Sequence, residues 1–303
     1  MTPTRILNLG AGVQSTTLAL MGVENWQYHH ASRLDPQIKD LPYPAVGLIN
    51  LALFADTQSE PRAVYGHLEW LKPICEQWFP VVTVSKGSLS DNLMNGINAD
   101  GHRFVSIPAF THSGNPMERE GVTRRQCTSE YKTEVLERHI RREVLELFPG
   151  QACPKGTGIT QLMGLSYDET ARVIRVKARY QSLPWEVEFP LWQMQQTRGG
   201  CKTWLKKRYP ERVVPRSACV FCPYRSNAEW RVIKEDPQDW AEAVRVDEGI
   251  RNHDWTVSRK LKQKLFVHRS CVRLKDADLR EPDEKSGQQQ FGFLQECEGM
   301  CGV

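Results

Sequence analysis

The chain has 303 residues, of which 40% are hydrophobic and 25% are charged, so it is long enough to bury a sizeable core and has the composition of a globular protein. No apolar stretch approaches the length of a membrane span and the first residues lack the apolar core of a secretory signal, which argues against a membrane partner and favours a cytoplasmic protein. The formal net charge is only +4, yet lysine and arginine are concentrated in several stretches. Such stretches favour an anionic partner, either a nucleotide or a nucleic acid, although a solvated helix face has the same pattern.

The first half of the chain alternates apolar runs with helical patterns. Strands are predicted at residues 4–9, 46–55 and 81–84, and helices at residues 15–23 and 63–78. The polar stretch 24–44 predicts an irregular insertion after the first helix. Because strands alternate with helices, the pattern predicts an α/β fold with a doubly wound parallel sheet of the Rossmann-like kind.

The second half begins in the same style and then changes. Residues 96–121 predict a long loop over a site, residues 130–147 an amphipathic helix, and residues 161–165 another short strand. From about Pro190 onward the pattern is mainly helical. Nine cysteines occur in the chain, and six of them lie in its C-terminal third, which favours metal or redox use there.

These changes along the chain predict three regions. They are a nucleotide-binding α/β domain at residues 1–190, a helical cysteine-rich region at residues 191–279, and a mobile cysteine-containing tail at residues 280–303.

A loop of small residues follows the first predicted strand and reads Gly10-Ala11-Gly12-Val13-Gln14-Ser15-Thr16. Small side chains let backbone N–H groups approach a phosphate closely, and the helix that follows directs the positive end of its dipole at the same anion. The loop is not a Walker A motif, since no Gly-Lys-[Ser/Thr] closes it, and it lacks the third glycine of a dinucleotide fingerprint. It predicts a nucleotide-phosphate site, with an ordinary strand-to-helix turn as the alternative.

A second motif, Cys219-Val220-Phe221-Cys222-Pro223, presents two thiols on a tight turn. Thiolates are soft ligands that suit an iron–sulfur cluster or zinc, and a redox pair is a further explanation of a single Cys-x-x-Cys. Two more cysteines, Cys297 and Cys301, lie beside glycines near the end of the chain. A thiol on a mobile tail can enter a site and attack, and a metal ligand or an exposed end without function is the alternative.

The order of these motifs over residues 4–235 resembles the PP-loop adenine-nucleotide alpha hydrolase superfamily, and within it the phosphoadenosine phosphosulfate (PAPS) reductase-like branch. The motifs that carry the resemblance are the loop already described, the run Phe54-Ala55-Asp56-Thr57, the run Arg125-Gln126-Cys127-Thr128 with Lys132, and Cys219-x-x-Cys222. The segment from Gly164 to Arg172, which also follows a predicted strand, is a third candidate at a strand end.

The chain departs from the family pattern at a few positions. Gly10, Ala11 and Gln14 stand where the superfamily loop has Ser, Gly and Asp, and Cys127 is single where iron–sulfur sulfonucleotide reductases have a Cys-Cys pair. An amide at position 14 cannot balance the charge of magnesium as a carboxylate does.

The resemblance implies a set of site residues. ATP with Mg²⁺ would be bound by Gly10, Ala11, Gly12, Val13, Gln14, Ser15, Thr16, Asp56, Gly164 and Arg172. The implied catalytic residues are Asp56, Cys297 and Cys301. A [4Fe–4S] cluster would be held by Cys127, Cys219, Cys222 and Cys201, with Cys271 as the rival fourth ligand, and Zn²⁺ is the alternative cofactor.

Three functions follow as hypotheses. The first is an enzyme that binds ATP, adenylylates an acceptor with release of pyrophosphate, and uses an iron–sulfur cluster for sulfur transfer, with a nucleic acid as a candidate acceptor and a sulfur or electron donor protein as partner. The second is a sulfonucleotide reductase that releases sulfite through a tail cysteine. The third is a zinc-stabilised nucleic-acid-binding module. The sequence does not indicate the oligomeric state.

Overall fold

The structure, a computed structural model, describes residues 4–33, 40–96, 107–112, 121–252 and 263–281. Its strands in chain order are β1 (Thr4–Asn8), β2 (Ile49–Asp56), β3 (Val81–Ser85), β4 (Phe110–His112), β5 (Gly121–Val122), β6 (Ile159–Met163), β7 (Glu186–Glu188) and β8 (Lys264–Phe266). Its α-helices are α1 (Val13–Ser32), α2 (Arg62–Glu76), α3 (Leu89–Asn95), α4 (Glu134–His139), α5 (Thr170–Tyr180), α6 (Pro190–Gln193), α7 (Arg198–Arg208), α8 (Asn227–Glu235) and α9 (Pro237–Asn252).

Five of the strands form one all-parallel sheet in the order β3-β2-β1-β6-β7, with helices packed against it. The register of the central strands pairs Leu7 of β1 with Ala52 of β2 and with Leu162 of β6. This arrangement confirms the predicted α/β fold with a parallel sheet. Among the described residues no helix combines the length and the apolar character that crossing a bilayer requires.

The packing of the chain gives two compact units that alternate along the sequence. Unit 1 comprises Met1–Ala55, Ala63–Val84 and Glu134–Ser217, and unit 2 comprises Asp56–Arg62, Ser85–Thr133 and Ala218–Val303. The three regions predicted from the sequence, with bounds at residues 190 and 279, stay a prediction.

Unit 1 buries both faces of its sheet at the central strands, which explains the apolar stretches Ile6-Leu7 in β1 and residues 52–55 in β2. Successive side chains of a strand point to opposite faces. Accordingly, one core contains Leu7 of β1 and Phe54 of β2 together with residues of α1, α2 and α7. A second core contains Ile6 and Leu53 from the same two strands together with residues of α4.

Unit 2 contains a small antiparallel sheet in the order β5-β4-β8 and the helices α3, α8 and α9. Its core is built around the fully buried rings of Tyr131, Phe221 and Trp230. Part of the long loop predicted at residues 96–121 is therefore strand β4, while residues 97–106 and 113–120 lie outside the described residues.

The predicted insertion at residues 24–44 is wrong over residues 24–32, because α1 continues to Ser32. Two side chains of this stretch bond to the chain that follows the helix, while others, such as those of Gln27 and His30, are exposed. Asn25 is fully buried, and its amide donates to the carbonyl oxygens of Tyr43 and Gly47, both at 2.8 Å. The Trp26 indole likewise donates to the carbonyl of Ile49 at 2.7 Å. Polarity in this stretch therefore reflects a docked helix rather than an irregular segment.

Candidate functional site

The residues Gly10 to Thr16, which we call the glycine loop, comprise the turn after β1 and the first turn of α1. Gly12 is the N-cap residue of α1, no side chain caps the helix, and its first turn contains no acidic residue. The first N–H groups of an α-helix have no partner within the helix, and they carry the positive end of the helix dipole. The start of this 20-residue helix is consequently suited to an anion such as a phosphate.

The backbone of the glycine loop is tightly folded. Ala11 is fully buried and has φ of +54°, a left-handed conformation that an alanine adopts only at some cost. The Ser15 hydroxyl accepts a hydrogen bond from the Gly10 N–H at 3.1 Å and so closes the loop. A side chain on Gly12 would meet Ser217 at an ordinary contact distance of 3.7 Å. Gly12 therefore is not required by the packing of the protein around it.

Gly164, one of the residues predicted to bind the nucleotide, lies against the glycine loop. It follows the end of β6, and a Cβ atom on it would come within 3.1 Å of the Ser15 backbone nitrogen and 3.3 Å of the Ser15 Cα. Contacts of that length are tighter than most Cβ contacts in proteins, so the backbone would have to give by a few tenths of an ångström. The close approach of β6 to the first turn of α1 therefore favours glycine at this position.

Gln14 is bonded to a carboxylate that the sequence analysis did not single out. Its amide donates to Glu169 at 3.1 Å, and Glu169 also accepts from the Arg172 guanidinium at 2.6 Å. Glu169 thus places a carboxylate beside the position at which the resembled family has an aspartate. Arg172, predicted to clamp a phosphate, is engaged in this ion pair and is 14% exposed. A Ser-x-x-Glu capping box, formed by Ser166 and Glu169, was the sequence signal that could have found it.

His67 holds the other side of the glycine loop and was also missed. Its Nε2 lies 2.9 Å from the Thr16 hydroxyl, and Arg212 Nε lies 3.5 Å from its Nδ1. Since the arginine can only donate, His67 Nδ1 accepts and Nε2 donates to Thr16. Burial, and then the charge of Arg212, lowers the pKa of His67 to about 4, which keeps the ring neutral at pH 7. A lone buried histidine on a helix gives no sequence signal of this role.

Asp56, the predicted catalytic carboxylate, is the last residue of β2 and belongs to unit 2. Its carboxylate accepts from the backbone N–H of Gln58 at 2.8 Å, and Gln58 has φ of +54°. Asp56 therefore supports a tight turn at the strand end. Its role toward magnesium or a nucleotide hydroxyl stays a prediction.

Three of the predicted metal ligands line one pocket of unit 2. Cys127, Cys219 and Cys222 surround about 440 Å³ of space, the open mouth included, and Arg125 and Lys132 lie in the same wall. We call this the cysteine pocket. Its turn is closed by the Cys222 N–H, which donates to the Cys219 carbonyl at 2.9 Å. The sequence spacing between Cys127 and the Cys-x-x-Cys motif, about 90 residues, gives no hint of this proximity.

The thiol of Cys219 is held in its protonated form. Burial, and then the nearby Glu60 carboxylate, raises its pKa to about 12, while Lys132 opposes the shift. The Thr57 hydroxyl lies 3.4 Å from the Cys219 sulfur. Because the thiolate is the nucleophile, this cysteine by itself is a poor one at neutral pH.

The cysteine pocket contains the kind of ligands that a thiolate-bound metal centre uses, but the ligands are not already arranged around a metal position. Three soft donors on one wall suit an iron–sulfur cluster or zinc. Within the described ranges, however, no three His, Cys, Asp or Glu side chains already converge as a metal-binding group. Filling the pocket with a metal centre would require the thiols to turn toward it and lose their protons.

The two candidates for the fourth ligand lie in different places. Cys201 is a residue of α7 and is fully buried in the core of unit 1, and burial raises the pKa of its thiol to about 12. Cys271 is a buried residue of unit 2 with φ of +52°, and it is not part of the pocket lining. The tail cysteines Cys297 and Cys301 lie outside the described residues.

A buried ion pair supports the wall of the cysteine pocket. Lys132 Nζ lies 2.8 Å from Glu60 Oε1, and the Glu60 side chain is fully buried while that of Lys132 is 18% exposed. The Lys132 ammonium is thereby fixed in the wall of the cysteine pocket, where its charge acts on the Cys219 thiol. Its positive charge lowers the free-energy cost of burying an anionic group there, either a thiolate or a bound anion.

Compared with protein-family models, curated proteins and solved structures, the chain matches none of them. The glycine loop and the cysteine pocket are therefore the features that indicate a function.

Proposed function

We propose that the protein is a PP-loop type enzyme that binds ATP at the glycine loop, adenylylates an oxygen of an acceptor and releases pyrophosphate. The observation that carries the proposal is the start of α1, which has no side-chain cap and no acidic residue and follows a loop of small residues. Gly12 and Gly164 support it, because one leaves space at the helix start and the other lets β6 approach that start closely.

The proposed chemistry requires charge neutralisation more than covalent participation by the protein. An acceptor oxygen attacks the α-phosphorus of ATP, the new P–O bond forms as the bond to the bridging oxygen breaks, and pyrophosphate leaves with the Mg²⁺ that accompanies ATP. The N–H groups at the start of α1 would hold the phosphates during this displacement. The bond from neutral His67 to Thr16 fixes the first turn of α1 in position.

The cysteine pocket would supply the sulfur chemistry. Cys127, Cys219 and Cys222 would hold a [4Fe–4S] cluster, which supplies electrons or a transferable sulfur when bound. Lys132 would offset the negative charge of the thiolates, with its own position fixed by Glu60. The alternative occupant, Zn²⁺, would leave the pocket a structural element only.

The second candidate function is a sulfonucleotide reductase, which the presence of tail cysteines favours. In that reaction the Cys297 thiolate would attack the sulfur of adenylyl sulfate, an S–S bond would form, and AMP would leave. A second thiol would then attack Cys297 and release sulfite. ATP is not consumed in this reaction.

The products distinguish the two enzymes. Anaerobically prepared protein, given ATP and mixed-sequence RNA or DNA oligonucleotides, should release pyrophosphate, and truncation after Gln295 should leave that release unchanged because the tail takes no part in adenylylation. The measurement is an enzymatic pyrophosphate assay beside a sulfite assay with adenylyl sulfate. Sulfite production that is lost in Cys297→Ser would establish the reductase instead.

Metal content tests the cysteine pocket separately. Protein purified without oxygen should be brown and contain iron and acid-labile sulfide in comparable amounts. Cys219→Ala should remove both and destabilise unit 2, because metal binding there is coupled to folding. The matched control is Cys153→Ala, at a half-buried cysteine of unit 1, which should keep them. Colourless protein with stoichiometric zinc would exclude the cluster and leave the nucleotide proposal standing.

A further inference from the structure

Helices α1 and α7 lie side by side in unit 1 and run in the same direction. The Thr17 hydroxyl and the Cys201 thiol are hydrogen-bonded to each other, and Glu24 accepts from the Arg208 guanidinium at 2.6 Å. The step from the first contact to the second is seven residues on both helices, from Thr17 to Glu24 and from Cys201 to Arg208. Equal steps of the same sign are what two parallel helices give. The start of α7, at Arg198, therefore lies beside the start of α1.

The guanidinium of Arg198 lies close to the first turn of α1. Burial raises the pKa of the Cys201 thiol, and the charge of Arg198 opposes this shift, so the two groups are near each other. The Thr17 hydroxyl, to which that thiol is bonded, donates to the Val13 carbonyl in the first turn of α1 at 2.8 Å. In the described part of the chain Arg198 has no ion pair, and its buried Nε has no hydrogen-bond partner. Its positive charge is therefore not neutralised by a bonded carboxylate.

Two carboxylates lie at the same place, and each is bonded to another group. Asp168 accepts from the backbone N–H of Arg198 at 3.1 Å, so it caps the start of α7. Glu169 accepts from Gln14 at 3.1 Å and from the Arg172 guanidinium at 2.6 Å. Arg172, the cation that the resemblance implies for nucleotide binding, is thus already paired. Arg198 was not singled out in the sequence, yet it is a cation beside the glycine loop whose side chain is still available to a ligand.

We infer that Arg198 binds the β- and γ-phosphates of ATP and holds the pyrophosphate as it leaves in the proposed reaction. These two phosphates carry most of the charge of ATP, and negative charge grows on them as the bond to the α-phosphorus breaks. A guanidinium suits that position because it stays charged and can donate two parallel hydrogen bonds to a phosphate. The inference rests on the proposed function, since it names a further binding residue of the same site.

Calorimetric titrations of the full chain with ATP, AMP and inorganic pyrophosphate, each with Mg²⁺, test this inference. Arg198→Gln removes the charge and should weaken the binding of ATP and of pyrophosphate about tenfold, the size of effect expected when a hydrogen bond to a charged group is lost. AMP lacks the β- and γ-phosphates, so it should bind to the variant and to the wild type with equal affinity. Unchanged binding of AMP also shows that the variant is folded.

Two more variants make the result specific to the guanidinium. Arg198→Lys keeps the positive charge but loses the second parallel hydrogen bond, so it should retain part of the affinity for ATP that Arg198→Gln loses. Lys206→Gln is the matched control, because it removes an exposed cation farther along α7 and should bind all three compounds like the wild type.

The outcomes separate this inference from the proposed function. If the wild type binds ATP and Arg198→Gln binds it equally well, the inference is overturned and the nucleotide proposal survives. Equal weakening of ATP and AMP would also overturn it, because the side chain would then support the loop rather than the terminal phosphates. Binding of pyrophosphate that depends on Arg198, in a protein that does not bind ATP, would support the phosphate contact and contradict the proposed function. A wild type that binds neither compound would overturn both.

Discussion

Lys132→Met should lower the free energy of unfolding by about 3 kcal/mol. The substitution keeps the length of the side chain and removes the ammonium, which leaves the fully buried Glu60 carboxylate without the cation 2.8 Å away. Breaking a buried ion pair by removing one partner costs about 3–5 kcal/mol, and we expect the lower end because Lys132 is 18% exposed and water can reach part of the site. Urea unfolding followed by tryptophan fluorescence would measure the change.

Two further variants make this result specific to the buried pair. The double variant Glu60→Gln/Lys132→Met removes the uncompensated charge and should recover part of the loss. Lys72→Met breaks the exposed pair with Glu76, where the two charged atoms are 3.6 Å apart, and should cost less than about 0.5 kcal/mol. A Lys132→Met variant no less stable than Lys72→Met would show that the Glu60 carboxylate is not confined as described.

Gly12→Val should weaken ATP binding by about 100-fold, or about 2.7 kcal/mol, while the fold is retained. At this position φ is −99° and ψ is −179°, extended backbone that any residue adopts, and the nearest atom to an added Cβ is 3.7 Å away. The backbone and a Cβ atom at this position are therefore tolerated, and we expect the valine methyl groups to take the space in front of the α1 N–H groups, where phosphate oxygens should lie.

The measurement is an ATP titration by calorimetry beside a urea unfolding curve for the same variant. Gly12→Ala is the graded control, because a single methyl group should weaken binding less than the valine side chain does. A Gly12→Val variant that binds ATP like the wild type would show that the phosphates do not lie at the start of α1. A variant that fails to fold would contradict the packing described around Gly12.

The parallel sheet could be predicted because its physical cause is visible in the sequence. The centres of β1 and β2 are buried on both faces and are therefore apolar, and α2, between β2 and β3, is amphipathic. The sheet β5-β4-β8 could not be predicted, since strands of two and three residues are too short to show the alternation of a strand. The end of α1 was predicted wrongly for another reason. A buried and hydrogen-bonded asparagine such as Asn25 cannot be told from an exposed one in the sequence.

In the candidate site, too, some features could be predicted from local sequence and others could not. Local spacing indicated the glycine loop and the Cys-x-x-Cys motif, and the resemblance indicated Cys127. Glu169 and His67 act through contacts with residues far along the chain, which no local pattern shows. Cysteine is ambiguous in a further way, because the same side chain serves as a metal ligand and as a small core residue. Cys201, packed in the core of unit 1, illustrates that second use.

The effect of ATP on the unfolding of the wild-type protein shows directly whether the glycine loop binds a nucleotide. A ligand present at 100 times its dissociation constant should raise the free energy of unfolding by about 2.7 kcal/mol, and we expect ATP with Mg²⁺ to do so while GTP at the same concentration has a smaller effect. If no adenine nucleotide stabilises the protein at millimolar concentration, the glycine loop is an ordinary strand-to-helix turn and the proposed function is wrong.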